Sequence, residues 1–471
     1  MFGLSIGLTI LLIVCLLAAC SFEFINGFHD TANAVATVIY TNTLKPDVAV
    51  MWSGLCNFVG VNVGGIAVAI GIINLLPVEA LVDQNIYHAV SMILALILTS
   101  VIWNLGTWYF GIPCSSSHAL IGSIFGVGLA FMMLPGSSTV ALNWHKAADT
   151  GLSLLISPIL GFGLAMFLMY LLKLLVKNKA LFKAPSEKKH PPLWIRGILV
   201  TTCSLVSFSH GSNDGQKGVG LIMIILIGII PAHFALDRHQ DPRNLLSKAC
   251  AVETVFQKVD STKLPAASRA AFVKMDKRLD TIKYNLANLK NFDQMPSNKH
   301  FMMRKDILLV AKTTENIFLK EGIALPAGIT QKDASTLRAN VKGMRAFTEY
   351  SPWWVILMIS TSLGLGTMVG WKRIVVTIGE KIGKTHLTYA QGATAEVVAA
   401  ATIGASTLFG LPVSTTHVLS SGVAGSMVAG GGMKNLQMKT ITNIAIAWLI
   451  TLPVTTLMSG TLFLIFRLIF V

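Results

Sequence analysis

Two aspartates sit where aspartates are costly. In NGFHDTANA, His29-Asp30 with Asn33 three residues on interrupts an apolar run; in HGSNDGQKG, Asn213-Asp214 with Lys217 three residues on interrupts another. A carboxylate at mid-membrane depth costs about 2.5 kcal/mol or more on insertion scales, so each needs a partner or a task. The task that suits them is to hold a cation, a proton or a metal ion travelling with an anion. The plainer alternative is a buried salt bridge, with Lys217 as the base. A fixed ammonium at Lys217 would also stand in for a bound cation and offset the charge of a substrate. Glycine-flanked polar breaks in two corresponding apolar segments point to a transporter site between repeats.

A second pair of stretches repeats as well. Residues 111–118 read GIPCSSSH and residues 410–417 read GLPVSTTH. Proline presets a first helical turn, hydroxyls cap its N–H groups, and the positive end of the helix attracts anions. One such cluster reads as an ordinary cap. Two at matched positions offer a cradle for a tetrahedral oxyanion, phosphate or sulfate, made by Ser115, Ser116, Ser117, Ser414, Thr415 and Thr416. His29, His118, His210 and His417 titrate near neutral pH and supply candidates for a proton relay. Glu396, inside an apolar run, is a further coupling candidate beside Asp30, Asn33, Asp214, His29 and Asn213, and Glu23 shares its status.

These residues are carried by membrane segments. The chain of 471 residues is 53% hydrophobic and only 13% charged, against about 25% charge in soluble domains. Apolar segments run near 4–40, 47–76, 87–110, 112–134, 152–176, 194–232, 353–371, 389–409, 412–430 and 441–469. The first and sixth exceed one straight span and contain the two aspartate motifs, so each is expected to be a discontinuous helix, giving about ten crossings. The net charge is +15; Lys and Arg collect between the apolar runs, in short loops at Lys45, Lys173 to Arg196, Lys372 to Lys384, and Lys434 with Lys439. With both termini outside, these loops all fall on the cytoplasmic side. That distribution removes any need for a nucleic-acid partner. Five of the six cysteines lie in apolar segments, and no disulfide framework or metal-ligand spacing follows from them. Leu17-Ala18-Ala19-Cys20 resembles a lipoprotein cleavage box, but no Lys or Arg precedes it, so the stretch is read as the first span.

Residues 233–350 are polar, with helical apolar spacing in RAAFVKMDKRLDTIKYNLANLKNF and RKDILLVAKTTENIFLKEG. They read as an inserted helical hairpin domain or amphipathic appendage outside the membrane, on the external side by parity. The spacing between motifs then fixes the domain plan. Asp30 to His118 spans 88 residues and Asp214 to His417 spans 203, of which the insertion takes 118. The remaining 85 match the first half. The first repeat is 1–190, the second is 191–232 with 351–471, and 233–350 is the insertion. Five crossings per half is odd, which sets the halves in opposite orientation. The expected fold is an all-α polytopic membrane protein of two inverted repeats with broken helices.

Taken together at these positions, NGFHDTANA, HGSNDGQKG, GIPCSSSH and GLPVSTTH resemble the Pit-type inorganic phosphate transporters, with the bacterial low-affinity permeases most similar. The resemblance covers nearly the whole chain outside 233–350. It implies a multi-pass inner (plasma) membrane transporter, not an enzyme, that imports phosphate as a metal-phosphate complex by proton symport with alternating access. Phosphate, divalent metal, protons and lipid are the implied partners, with a homo-oligomer left open, no cofactor and no fixed metal site. The family pattern has Asn before the Asp and Asn three residues after it in both halves. Here His29 takes the first slot and Lys217 the last, and in sodium-coupled relatives those positions look like cation ligands. Loss of one to Lys217 favours protons over sodium. The alternatives are a sulfate or sodium-coupled symporter of the same fold, a receptor working through 233–350, and a membrane enzyme handling phosphoryl groups, for which no GxxxxGK[ST] loop is present.

Overall fold

The computed structural model describes residues 3–76, 86–134, 142–186, 190–320, 325–326 and 328–470, without the side chains of Thr31, Asn33 and Ala267. The described residues are helical throughout, apart from turns and one isolated bridge. They form two compact units, Leu226–Tyr350 and the segments Ser5–Ile225 with Ser351–Val471.

In the larger unit the same helix order occurs twice. The first half has α1 (Ile6–Tyr40), α2 (Pro46–Val63), α3 (Ala67–Ile73), α4 (Ile86–Tyr109), α5 (Ser116–Met132) and α6 (Trp144–Leu175). The second half opens with α7 (Leu193–Ile229). After the smaller unit, with α8 (Pro242–Phe256), α9 (Ala266–Leu286), α10 (Ser297–Thr314) and α11 (Gln331–Arg345), it continues. There follow α12 (Trp353–Thr367), α13 (Lys372–Glu380), α14 (Tyr389–Leu408), α15 (Thr415–Gly431) and α16 (Met438–Phe470). The two long closing helices each carry a proline near the middle, Pro158 and Pro453.

The helix breaks are not where the aspartates are. α1 runs unbroken through Asp30 for 35 residues and α7 through Asp214 for 37. The glycines beside each aspartate serve packing instead: a Cβ at Gly27 would lie 2.5 Å from the Leu363 carbonyl oxygen, and one at Gly211 would strike the backbone of Asn57. A backbone gap in a low-dielectric interior leaves polar groups unpaired, so an intact ladder is the cheaper solution where no proline forces a break. The bends fall one helix later in each half, 74° between α2 and α3 and 64° between α12 and α13. Each has a glycine in the left-handed region, Gly65 (φ 76°) and Gly370 (φ 70°). The Gln216 side chain satisfies the first gap, donating to Gly64 O and accepting from Val68 N, both at 2.7 Å. By length and apolarity four described helices qualify as spans, or six if each bent pair is one span, against the ten expected. α7 and α14 fall short because each carries buried polar residues.

The halves exchange partners. α5 packs along α16, and α15 along α6. Small residues allow the close approach: a Cβ at Gly126 would overlap the Thr456 carbonyl and the Ser459 hydroxyl, and one at Gly425 the Phe162 carbonyl.

The smaller unit is a four-helix arrangement rather than the expected hairpin. Leu245, Ala249, Val252 and Phe256 of α8 meet Met275, Leu279 and Ile282 of α9, Met303, Ile307 and Val310 of α10, and Leu337, Val341 and Met344 of α11. Every helix contributes one apolar face at three- and four-residue spacing.

Gly126→Ala is expected to lower the thermal midpoint in detergent, by an overpacking cost of about 1–3 kcal/mol. Gly163→Ala, whose Cβ would meet nothing within 4 Å, should leave the midpoint unchanged or slightly raised.

Candidate functional site

The site is assembled from two helix ends and two helix middles. α4 and α14 end in the same way. The N–H of Gly111 donates to Trp108 O and that of Ile112 to Thr107 O; the N–H of Gly410 donates to Thr407 O and that of Leu411 to Ser406 O. Both glycines are left-handed, at φ 66° and 64°, as this helix-ending motif requires. The turn then leads through Pro113 or Pro412 into α5 or α15. Ser115 and Ser414 cap these helices, each accepting from the backbone N–H of the histidine three residues on at 3.1 Å. Sequence similarity of the two stretches is thus matched by local geometry.

The two starts converge on the aspartates. Thr416 Oγ1 donates to Asp30 Oδ1 at 2.6 Å, and Thr415 Oγ1 lies 3.3 Å from Asp30 Oδ2. Ser116 Oγ sits between the carboxylates, 3.4 Å from Asp30 Oδ2 and 3.5 Å from Asp214 Oδ2. Lys217 Nζ pairs with Asp214 at 2.7 Å and donates to Ser117 Oγ. Ser117 Oγ in turn donates to Val413 O of the opposite turn at 2.7 Å. The rings of His118 and His417 lie 4.5 Å apart, and His417 stacks on Trp448 at 3.8 Å. Asp30, Asp214, Lys217, Ser116, Ser117, Thr415 and Thr416 are all buried.

His210 completes the cluster, and its orientation is fixed from outside. Thr367 Oγ1 donates to Leu363 O, so it accepts from Asn57 Nδ2 at 3.0 Å. That leaves Asn57 Oδ1 to accept from His210 Nδ1–H at 2.9 Å. Nε2 then faces Asp30 and Asp214, 3.6 Å from an oxygen of each. Between two carboxylates Nε2 is placed to ligate a cation that both would hold. Ligand atoms of Asp30, His210 and Asp214 lie within 4.8 Å of one another, a spacing that suits one metal ion. His210 entered the sequence reading only as one of four histidines; no spacing rule singles it out, because its role depends on Asn57 of α2.

Other expected site residues lie elsewhere or do other work. Asn213 holds the α14–α15 turn, donating to Thr407 Oγ1 at 3.0 Å and to Leu411 O at 3.2 Å. His29 bridges Asp30 (3.3 Å) and Thr107 (3.3 Å). The side chain of Asn33 lies outside the described residues. Glu396 is fully buried on α14 and accepts from Thr202 at 2.5 Å, with Thr37 alongside. Thr37 is two helical turns from Asp30, about 10 Å along the axis, so Glu396 belongs to a separate polar pocket. Lys217 is bound to Asp214, the salt bridge set out above as the plainer alternative. Glu23 is also buried, with Asn26 as its bonded partner and Gly218 of α7 directly against it.

A sealed polar cluster where two duplicated halves interlock is the architecture of a membrane transporter. Comparison with known proteins agrees. Residues 26–459 match the phosphate transporter family PHO4, and the chain belongs to that family. It is 40% identical to the low-affinity inorganic phosphate transporter PitA of Escherichia coli K12, over 98% of this chain and 97% of that one. It is 28% identical to a probable low-affinity inorganic phosphate transporter of Bacillus subtilis, over 98% of each. A solved structure titled "The sodium-dependent phosphate transporter" shares the fold, with a TM-score of 0.54 at 19% identity, covering 98% of this chain and 99% of that one. The relatives are transporters by name, and the chain is a transporter rather than an enzyme.

Asp214→Asn would strand the Lys217 ammonium in a buried site, an expected cost of about 3–5 kcal/mol. The double variant Asp214→Asn with Lys217→Gln should recover most of that loss. Thermal unfolding of the unmodified protein and the two variants in detergent reads this out, and equal destabilisation by the single and double changes would contradict the pairing.

Proposed function

We propose that the chain imports inorganic phosphate across the inner (plasma) membrane together with a divalent metal, by proton symport and alternating access between two inverted repeats. The observation that carries this reading is the convergence of Ser116, Thr415 and Thr416, from two helix starts, on the carboxylate of Asp30. Those hydroxyls are the donors an oxyanion needs, and here they are committed to Asp30 and Asp214. A cation held by Asp30, Asp214 and the Nε2 of His210 withdraws the negative charge that attracts them. The hydroxyls, with the positive ends of α5 and α15, are then released to phosphate. An anion arriving without a cation meets two carboxylates instead, so the two must travel together.

The coupled proton is held apart from the Nε2 of His210, which the cation takes, and His29, between Asp30 and Thr107, is the histidine placed for it. Lys217 supports proton over sodium coupling, because it fills with a fixed charge the slot that Asn33 occupies in the first half. Phosphate is favoured over sulfate because monohydrogen phosphate donates a hydrogen bond to a carboxylate acceptor and sulfate does not.

Uptake of labelled phosphate by proteoliposomes with imposed proton or sodium gradients tests this. A proton gradient should drive uptake and a protonophore abolish it, with sulfate a poor competitor. Asp30→Asn should lower the rate by roughly 100-fold or more, as expected for loss of a positioned charge in a dry site. Sodium-driven uptake that resists a protonophore would overturn proton coupling, and Asp30→Asn at the unmodified rate would overturn the site.

A further inference from the structure

A second cavity, outside the polar cluster, is unassigned by the transport mechanism. It has a volume of about 680 Å³ and is walled by Trp108 and Tyr109 at the end of α4, by Trp371, Lys372 and Arg373 at the bend into α13, and by Lys381. No acidic residue lines it among the described residues. Glu380, next in the chain to Lys381, is bonded to Tyr40.

Three features fix the chemistry of an occupant. α13 is amphipathic: Ile374, Val375 and Ile378 are buried while Lys372 and Arg373 are exposed. Its apolar face packs into the protein core, so what it presents outward, at the bend of a span, is a short basic edge beside the cavity. Beside the cavity Tyr109 is 61% exposed and Phe110 75%, the aromatic signature of the headgroup level. Arg373 is pre-positioned, its guanidinium 5.0 Å from the Trp108 ring and 4.9 Å from that of Tyr109.

We propose that this cavity binds the phosphate of an anionic phospholipid headgroup, and that its occupancy is felt by the GIPCSSSH turn. The route for the second half is a set of bonds. Arg373 donates to Tyr109 O at 2.5 Å, Trp108 Nε1–H to Gly370 O at 2.8 Å, and Thr377 Oγ1 to Gly111 O at 2.9 Å. Gly111 opens the turn that leads to Ser115, Ser116 and Ser117, so the wall of the cavity and the start of α5 move as one piece. A lipid diester fits better than free phosphate: the walls offer cations and aromatic faces, and the Thr377 hydroxyl is already committed to Gly111.

The mass-spectrometry arm reads lipid binding directly and does not depend on phosphate being the transported ion; the uptake arm rests on that reading. In native mass spectrometry the unmodified protein should retain phosphatidylglycerol in preference to phosphatidylcholine, and excess inorganic phosphate should not displace it. Each basic side chain at an anionic surface strengthens binding roughly fivefold, so Lys372→Gln with Lys381→Gln should weaken the preference by roughly 25-fold. In proteoliposomes, phosphatidylglycerol should raise phosphate uptake by the unmodified protein and not by the double variant, whose uptake in phosphatidylcholine alone stays unchanged. Equal retention of both lipids by the unmodified protein, or full preference in the variant, would overturn the site. Displacement by inorganic phosphate would overturn the lipid assignment, and equal stimulation of the variant would overturn the coupling to the turn.

Discussion

Two carboxylates held a few ångströms apart in a dry interior are the constraint to which the rest of the structure answers. In a low dielectric their repulsion is large unless positive charge and donors surround them. Lys217 neutralises Asp214, Thr416 donates to Asp30, and His210 turns one nitrogen toward both. Lys217 and His210 reach Asp214 along α7, at three- and four-residue spacing, but Asp30 is served from other helices. Thr416 comes from the other half of the chain, and the orientation of His210 is set through Asn57 by a threonine on α12.

The exchange of partners between halves follows from the same need. The helix start of the second half donates to the aspartate of the first, and Ser117 of the first half meets Lys217 and Val413 of the second. A shift of one half against the other therefore alters the Thr416–Asp30, Ser116–Asp214 and Ser117–Lys217 contacts together. Small residues along α5 and α15 let α16 and α6 approach closely enough to hold this geometry. On the proposed reading, cation binding and the freeing of hydroxyls for phosphate are one event.

Much of this was legible in the sequence, and the misses have physical causes. Charge and hydropathy gave a polytopic helical protein, and the matched GIPCSSSH and GLPVSTTH stretches gave two capped helix starts that do converge. The broken helices were expected at Asp30 and Asp214 because the two segments exceed one straight span and each carries a glycine-flanked polar motif, yet both run on as single long helices. Glycine permits close helix contact as well as a hinge, and only the neighbours across the interface, Leu363 for Gly27 and Asn57 for Gly211, decide between the two. The true bends at Gly65 and Gly370 lie near the ends of apolar runs, beside Asn62 and Lys372-Arg373, where polar residues read equally well as a loop or a span end. Asn213 was grouped with the coupling residues by its place before Asp214, yet its amide points to the turn that precedes α15. His210 could not be separated from three other histidines, since its importance is conferred by α1, α2 and α12 rather than by its own neighbours.

The most direct measurement is equilibrium binding of phosphate to the purified protein at a pH where free histidine is neutral, with a divalent metal present or removed by a chelator. Linked occupancy predicts binding at least roughly tenfold tighter with the metal, within the usual range of coupling between sites. Equal affinity with and without the metal would mean that the carboxylates and the oxyanion cradle act independently, and the interlocked site would lose its purpose.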